Sequence, residues 1–161
     1  MKKYIVYQMV LIIIYFALII LFSYMSLQKG GESSNLSSKV ANDIANVQET
    51  ITKKQVVVDD SYIKNVRKII GHFGFFMIFG FVSALLYLSF YTLKVFYRVS
   101  IHFVSGILFA LISEFLLEAN TPGRTASCKD VLIDTSGFVL ASLIIFVIYF
   151  IYTRRKLKEL E

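Results

Sequence analysis

Four long apolar runs constrain the fold of this sequence more than any other feature. They span Tyr4–Leu27, Ile69–Leu93, Val99–Leu117 and Val131–Tyr152, with 24, 25, 19 and 22 residues. An α-helix rises about 1.5 Å per residue, so each run can cross a hydrocarbon core about 30 Å thick. Strands of a membrane β-barrel would be about ten residues long and alternate in polarity, which none of these runs does. The sequence therefore predicts an all-α integral membrane protein with four transmembrane helices.

The first run has to be distinguished from a secretory signal, because Lys2 and Lys3 precede it. Signal peptides have an apolar core of about 7–15 residues, followed by a cleavage site of small residues. This run is longer, and no small-x-small site follows Tyr24-Met25-Ser26. We expect an uncleaved helix within one membrane domain over residues 1–161.

The basic residues predict the orientation of the helices. Of the 17 Lys and Arg, eight flank the chain termini and the second connection, whereas Arg124 and Lys129 lie in the third connection. Because basic residues favour the cytoplasmic side, both termini are expected in the cytoplasm of a multi-pass plasma-membrane protein. The long first connection, residues 28–68, then lies outside, although it contains seven basic residues. The basic segment at the C-terminus is expected to contact anionic lipid, with no nucleic-acid partner.

Short connections place several charged residues on one side of the membrane. The second, third and fourth helices are antiparallel neighbours, so the start of the second, the end of the third and the start of the fourth share a face. His102 falls on the opposite side. Ionisable groups within an apolar span destabilise the protein in the membrane unless they pair with other groups or face an aqueous cavity. We therefore expect one shared polar pocket formed by His72, Glu114, Arg124, Asp130 and Asp134.

The long first connection contains a second helical pattern. Apolar residues recur at helical spacing after Gly30-Gly31, which predicts an amphipathic helix at the membrane surface or over the mouth of the bundle. A solvated helical hairpin is the alternative. Arg67 and Lys68 follow, one helical turn before His72, where they act as interfacial anchors or line the pocket and attract an anionic headgroup. The apolar residues are Leu36, Val40, Ile44, Val47 and Ile51.

The segment from Glu114 to Gly137, which connects the third and fourth apolar runs, resembles the signature of the VanZ-like family of small bacterial membrane proteins. The likeness extends over roughly residues 65–141 and includes a basic residue shortly before His-Phe, here Lys68 and His72-Phe73. It implies a four-helix protein of the cell envelope, in a family associated with resistance to the glycopeptide teicoplanin. The other matching residues are Glu114, Pro122-Gly123-Arg124, Ser127, Asp130-Val131-Leu132-Ile133-Asp134 and Gly137.

Two positions depart from that signature. Family members often have a Gln within a turn of the glutamate, where this chain has Leu117 and Glu118. A Tyr that commonly follows the histidine is Phe76 here. If those groups contact a ligand in relatives, this protein binds a different ligand or none.

The leading hypothesis is a non-enzymatic envelope protein. Its pocket would bind membrane lipid, a lipid-linked cell-wall precursor or a glycopeptide, with Arg124 and Lys68 facing phosphate or carboxylate groups. In a purely structural alternative, Arg124 latches onto Glu114, Asp130 or Asp134.

An enzymatic alternative is a membrane-embedded hydrolase or transferase. It would use His72 as base and Glu114 or Asp134 as acid or metal ligand. No His-Glu-x-x-His or Gly-x-Ser-x-Gly motif supports it. We therefore predict no cofactor and no metal, with a divalent ion held by His72, Glu114, Asp130 and Asp134 as a minor alternative.

Overall fold

The computed structural model of the protein describes residues 2–90 and 92–158. Within those ranges the chain is helical, with no strand. Five helices follow one another: α1 (Lys2–Ser26), α2 (Gly30–Thr52), α3 (Asp60–Ser89), α4 (Val95–Asn120) and α5 (Cys128–Lys158). Four of them, α1, α3, α4 and α5, are long and apolar enough to cross a membrane, which confirms the predicted all-α membrane architecture.

Each membrane helix begins before its apolar run, whereas α1 ends at Ser26 and α3 at Ser89, short of the predicted ends at Leu27 and Leu93. Helix α3 begins at Asp60, nine residues before the predicted start at Ile69. The Asp59 carboxylate caps it by accepting a hydrogen bond from the Tyr62 amide at 2.8 Å. Such a cap satisfies one of the free amides in the first turn of a helix. As a result, the basic residues ahead of His72 lie on a rigid helix and not on a loop.

Aromatic side chains fill the centre of the bundle. Phe76 and Phe79 of α3 and Phe138 of α5 are fully buried, and Phe22 of α1 and Phe109 of α4 pack around them. The ring centroids of Phe79 and Phe138 lie 5.8 Å apart. Offset aromatic pairs at this separation are favourable. The core therefore joins all four membrane helices.

Glycines allow α3 and α5 to approach closely. A Cβ added to Gly80 would lie 2.5 Å from the Phe138 carbonyl oxygen, and one added to Gly137 would lie 2.4 Å from that of Phe73. Both distances are below any van der Waals contact. Gly80 and Gly137 therefore lie where the two helices meet, and small residues are common at such contacts in membranes.

Two helices contain a wider, π-helical turn. Residues Arg67–Gly74 of α3 and Ser113–Leu117 of α4 are π-helical, and Glu118–Asn120 close α4 as a 3₁₀ turn. Such segments are rare and occur frequently at functional sites. Here both lie at the end of the bundle where α5 begins.

Helix α2 occupies the long first connection and docks onto the connection between α4 and α5. The Gly30 amide donates a hydrogen bond to the Pro122 carbonyl at 3.1 Å. Ser33, Ala41 and Ala45 are its buried residues. Of the predicted apolar stripe, Val47 and Ile51 are exposed, whereas Leu36 and Val40 line a cavity between α1, α2 and α3.

Candidate functional site

The predicted pocket residues converge at one end of the bundle. Lys68 and His72 lie on the π-helical segment of α3, and Glu114 lies on that of α4. The first two turns of α5 supply two carboxylates, and the preceding connection supplies the arginine: Asp130, Asp134 and Arg124. Three of these side chains are buried together, and ion pairs form a rim around them.

The buried groups are His72, Glu114 and Asp134. Their exposed fractions are 4%, 1% and 0%. His72 Nδ1 lies 3.1 Å from Asp134 Oδ1, and Glu114 Oε1 accepts a hydrogen bond from the Ser127 amide at 2.7 Å. Each residue offers one ligand atom, and these three atoms lie within 4.8 Å of one another. We call this set the buried triad.

Arg124 pairs with Glu118, which differs from the partners considered in the sequence. Arg124 Nη1 lies 2.5 Å from Glu118 Oε1, and both side chains are only 5% exposed. None of Glu114, Asp130 or Asp134 is its partner, because the wider turn and the 3₁₀ turn at the end of α4 bring Glu118 to the arginine.

Arg124 also joins three elements. Its Nη2 donates to the Met25 carbonyl at 3.2 Å and to Ser33 Oγ at 2.5 Å. Burial lowers the pKa of the guanidinium, and the Glu118 carboxylate acts against that shift. Since an arginine stays protonated in proteins, the contact with Glu118 is an ion pair. Arg124 therefore ties the ends of α1 and α4 to the start of α2.

Two further ion pairs complete the rim. Arg67 Nη2 lies 3.2 Å from the second oxygen of Glu118, and Lys68 Nζ lies 3.2 Å from Asp130 Oδ1. The sequence did not identify Glu118 as part of the site. A signal was present, since Glu118 is four residues after Glu114 and so lies on the same helix face.

Two cavities adjoin these residues. The first, which we call the apolar groove, has a volume of about 360 Å³ and lies between α1, α2 and α3. Its apolar walls include Phe22, Leu36, Val40, Phe75 and Ile78. The second, the cationic cleft, has a volume of about 290 Å³. Its charged lining is Lys64, Arg67, Lys68, Arg124, Glu118 and Asp130.

The groove and the cleft share four lining residues: Arg67, His72, Glu118 and Arg124. A ligand that enters the apolar groove therefore meets charged groups at one end. Four cations and two carboxylates line the cleft, so that its formal charge is positive. Such an arrangement favours an amphiphile with a negative head.

His102 belongs to a separate polar cluster. Its ring nitrogens lie 2.9 Å from Ser83 Oγ and 2.7 Å from Ser142 Oγ. The ring is fully buried and stacks on Phe138 at 4.6 Å between centroids. This residue has hydrogen-bond partners outside the site, in agreement with its exclusion from the predicted pocket.

Comparison with known proteins identifies the family. The model of the VanZ/LLP1 family matches residues 9–150 of the 161-residue chain, a range that contains the buried triad, the groove and the cleft. Comparison with curated proteins and with solved structures yields no match. The matched range includes residues 65–141, over which the sequence resembles the family signature, and covers most of the chain. The chain belongs to the VanZ/LLP1 family.

Proposed function

We propose that this protein binds an amphiphile with an anionic headgroup. The head lies in the cationic cleft, and the hydrocarbon chain lies in the apolar groove. The observation that supports this most directly is the set of four residues that line both cavities, Arg67, His72, Glu118 and Arg124. The groove has the volume of a ligand pocket, in the range of ~300–1,000 Å³.

The chemistry of the rim favours phosphate or carboxylate as the head. Guanidinium groups form paired, charge-assisted hydrogen bonds to both. Glu118 already orients Arg67 and Arg124, so these donors are held in place before a ligand arrives. Lys64 is exposed at the cleft and adds a further cation there.

The orientation of the helices determines which amphiphiles have access. With both termini in the cytoplasm of a bacterial plasma membrane, the cleft opens on the outer face, where lipid-linked cell-wall precursors and glycopeptide antibiotics meet the membrane. Helix α2 would then rest on the outer leaflet as an amphipathic helix, with Val47 and Ile51 toward lipid. Retention of such a ligand contributes to glycopeptide tolerance, teicoplanin included.

Native mass spectrometry of the detergent-purified protein tests the proposal. A polyprenyl phosphate is the probe, and the matching uncharged polyprenol is its control. We expect the phosphate to be retained and the alcohol to be lost. Arg67→Gln should weaken retention of the phosphate about 10-fold, because one charge-assisted bond contributes roughly 1.5–3 kcal/mol.

The matched control for this variant is Lys158→Gln, which removes a cation at the far end of α5. It should leave retention unchanged. Equal retention of phosphate and alcohol, or equal loss in both variants, would contradict binding of an anionic head in the cleft.

A further inference from the structure

We propose that the buried triad of His72, Glu114 and Asp134 is a binding site for one divalent metal ion, Zn²⁺ or Mn²⁺. This inference goes beyond amphiphile binding and holds whether or not a lipid occupies the groove. It rests on geometry, unpaired ligand atoms, local charge and backbone form.

The geometry of the triad fits a small ion. Three ligand atoms from three different helices lie within 4.8 Å of one another. With bonds of about 2.0–2.2 Å, the ligand atoms of a tetrahedral ion stand roughly 3.4 Å apart. His72 Nδ1 and Asp134 Oδ1 are already 3.1 Å apart. Small side-chain movements therefore suffice to close the triad on an ion.

Two oxygens of the triad have no hydrogen-bond partner. Glu114 Oε2 and Asp134 Oδ2 are buried, and no donor among residues 2–90 and 92–158 reaches either atom. An unsatisfied buried carboxylate oxygen is costly in a protein interior. The other oxygen of Glu114 is fixed by the Ser127 amide at 2.7 Å, the kind of outer contact that orients metal ligands.

The surrounding cations do not neutralise the triad. Arg67 and Arg124 both pair with Glu118, and Lys68 pairs with Asp130. In the described part of the chain, no lysine or arginine forms a salt bridge with Glu114 or Asp134. Two buried carboxylates beside one imidazole are therefore short of positive charge, which a divalent cation supplies.

The backbone supports the same site. The π-helical segments at Arg67–Gly74 and Ser113–Leu117 contain His72 and Glu114, respectively. A π-helical turn interrupts regular hydrogen bonding and is found mostly where a side chain has a functional position. Two such turns, on two different helices, each contribute one residue to the triad.

The type of ligands selects the ion. One imidazole and two carboxylates suit Zn²⁺ or Mn²⁺, whereas Ca²⁺ takes six to eight oxygens and soft ions prefer thiolates. Three protein ligands leave one coordination position open on a tetrahedral Zn²⁺ and more on an octahedral Mn²⁺, for water or an anionic oxygen. Since His72 also lines the cationic cleft, an oxygen of a bound headgroup is a suitable fourth ligand. Only this last step rests on the proposed function.

Equilibrium dialysis of the full chain tests the site. The protein is purified in detergent, stripped with a chelator and titrated with Zn²⁺ or Mn²⁺ in the absence of added lipid. We expect about one ion per chain, with affinity lowered at least 10-fold by Glu114→Gln and by Asp134→Asn, since each removes a charged ligand.

Controls of the same chemistry are Glu32→Gln and Asp43→Asn, which change exposed carboxylates of α2 outside the groove and the cleft. Both should keep the ion. The inference is overturned if the wild type binds no ion at about 1 mM, or if the triad variants bind as well as the controls.

A spectroscopic measurement on the wild type avoids reliance on variants that fail to fold. Co²⁺ added to the stripped protein should give visible absorption bands of a low-coordinate nitrogen and oxygen site, which one equivalent of Zn²⁺ removes. A spectrum identical to free Co²⁺ would overturn the site. Retention of polyprenyl phosphate by the stripped protein is recorded in parallel, so that failure of metal binding and failure of lipid binding are separate results.

Discussion

Glu118 holds two arginines in place at the rim of the site. One oxygen lies 2.5 Å from Arg124 and the other 3.2 Å from Arg67. Ser26 Oγ also donates to the carboxylate at 3.4 Å. Because α1, α3 and α4 meet the connection before α5 through this one side chain, we expect the rim to act as a structural latch as well as the proposed headgroup site.

Removal of Arg124 tests the latch. We expect Arg124→Leu to lower the free energy of unfolding by roughly 3–5 kcal/mol, because it leaves the buried Glu118 without its closer partner. The measurement is thermal unfolding in detergent. Arg155→Leu, at an exposed position near the end of α5, is the control and should have no effect.

A double variant separates charge from packing. In Arg124→Leu with Glu118→Gln, the stranded charge is gone, so a substantial part of the lost stability should return. Identical melting temperatures for the wild type and the Arg124→Leu single variant would contradict the latch.

The site could be predicted from the sequence only in part. Short connections between antiparallel helices brought His72, Glu114, Asp130 and Asp134 to one side, since chain geometry leaves no alternative. The partner of Arg124 could not be predicted, because the position of Glu118 depends on the π-helical and 3₁₀ turns that end α4. Hydropathy and spacing contain no information about such turns.

At the scale of helices, hydropathy located the membrane segments but not their ends. Asp60 to Lys68 is polar, yet it continues α3 because Asp59 caps the first turn and no proline or glycine interrupts it. An apolar run marks only the part of a helix that lies in lipid. The cationic cleft depends on this extension, which carries Lys64, Arg67 and Lys68.

The contact between α3 and α5 gives a prediction at this scale. Gly80→Ala should lower the free energy of unfolding by about 1–3 kcal/mol, because the new methyl group would meet backbone atoms of Phe138, which cannot rotate away. Thermal unfolding in detergent measures the change.

Gly31→Ala is the matched control for Gly80→Ala. A Cβ at Gly31 meets nothing within 4 Å, and alanine favours the helical state. This variant should be neutral or slightly stabilising. Equal losses at the two positions would mean that the effect of Gly80→Ala does not come from the close approach of α3 and α5.

At the scale of the whole molecule, the four membrane helices could be predicted because backbone polar groups in lipid must be hydrogen-bonded internally. A long apolar run meets that requirement as an α-helix. The docking of α2 does not follow from that rule. It depends on contacts such as the Gly30 amide with the Pro122 carbonyl, between residues far apart in the chain. The amphipathic pattern contained Leu36 and Val40, which line the apolar groove, but it carried no information about the contact that docks α2 there.

The orientation of the molecule can be tested with its single cysteine. Cys128 is exposed at the start of α5, at the same end of the bundle as the cleft. If this end faces outward, a membrane-impermeant maleimide should label the protein on intact cells. Cys128→Ser should abolish the labelling, which would show that no other group reacts.

The opposite end of the molecule supplies the complementary measurement. In the Cys128→Ser background, Lys156→Cys places the thiol near the end of α5, where three basic residues of the last turn predict a cytoplasmic location. This thiol should react only after lysis. The reverse pattern, with Lys156→Cys labelled on intact cells and Cys128 labelled only after lysis, would place the cleft in the cytoplasm. Lipid-linked precursors on the outer face and glycopeptides would then have no access to the site, and the ligand would be an anionic lipid of the inner leaflet.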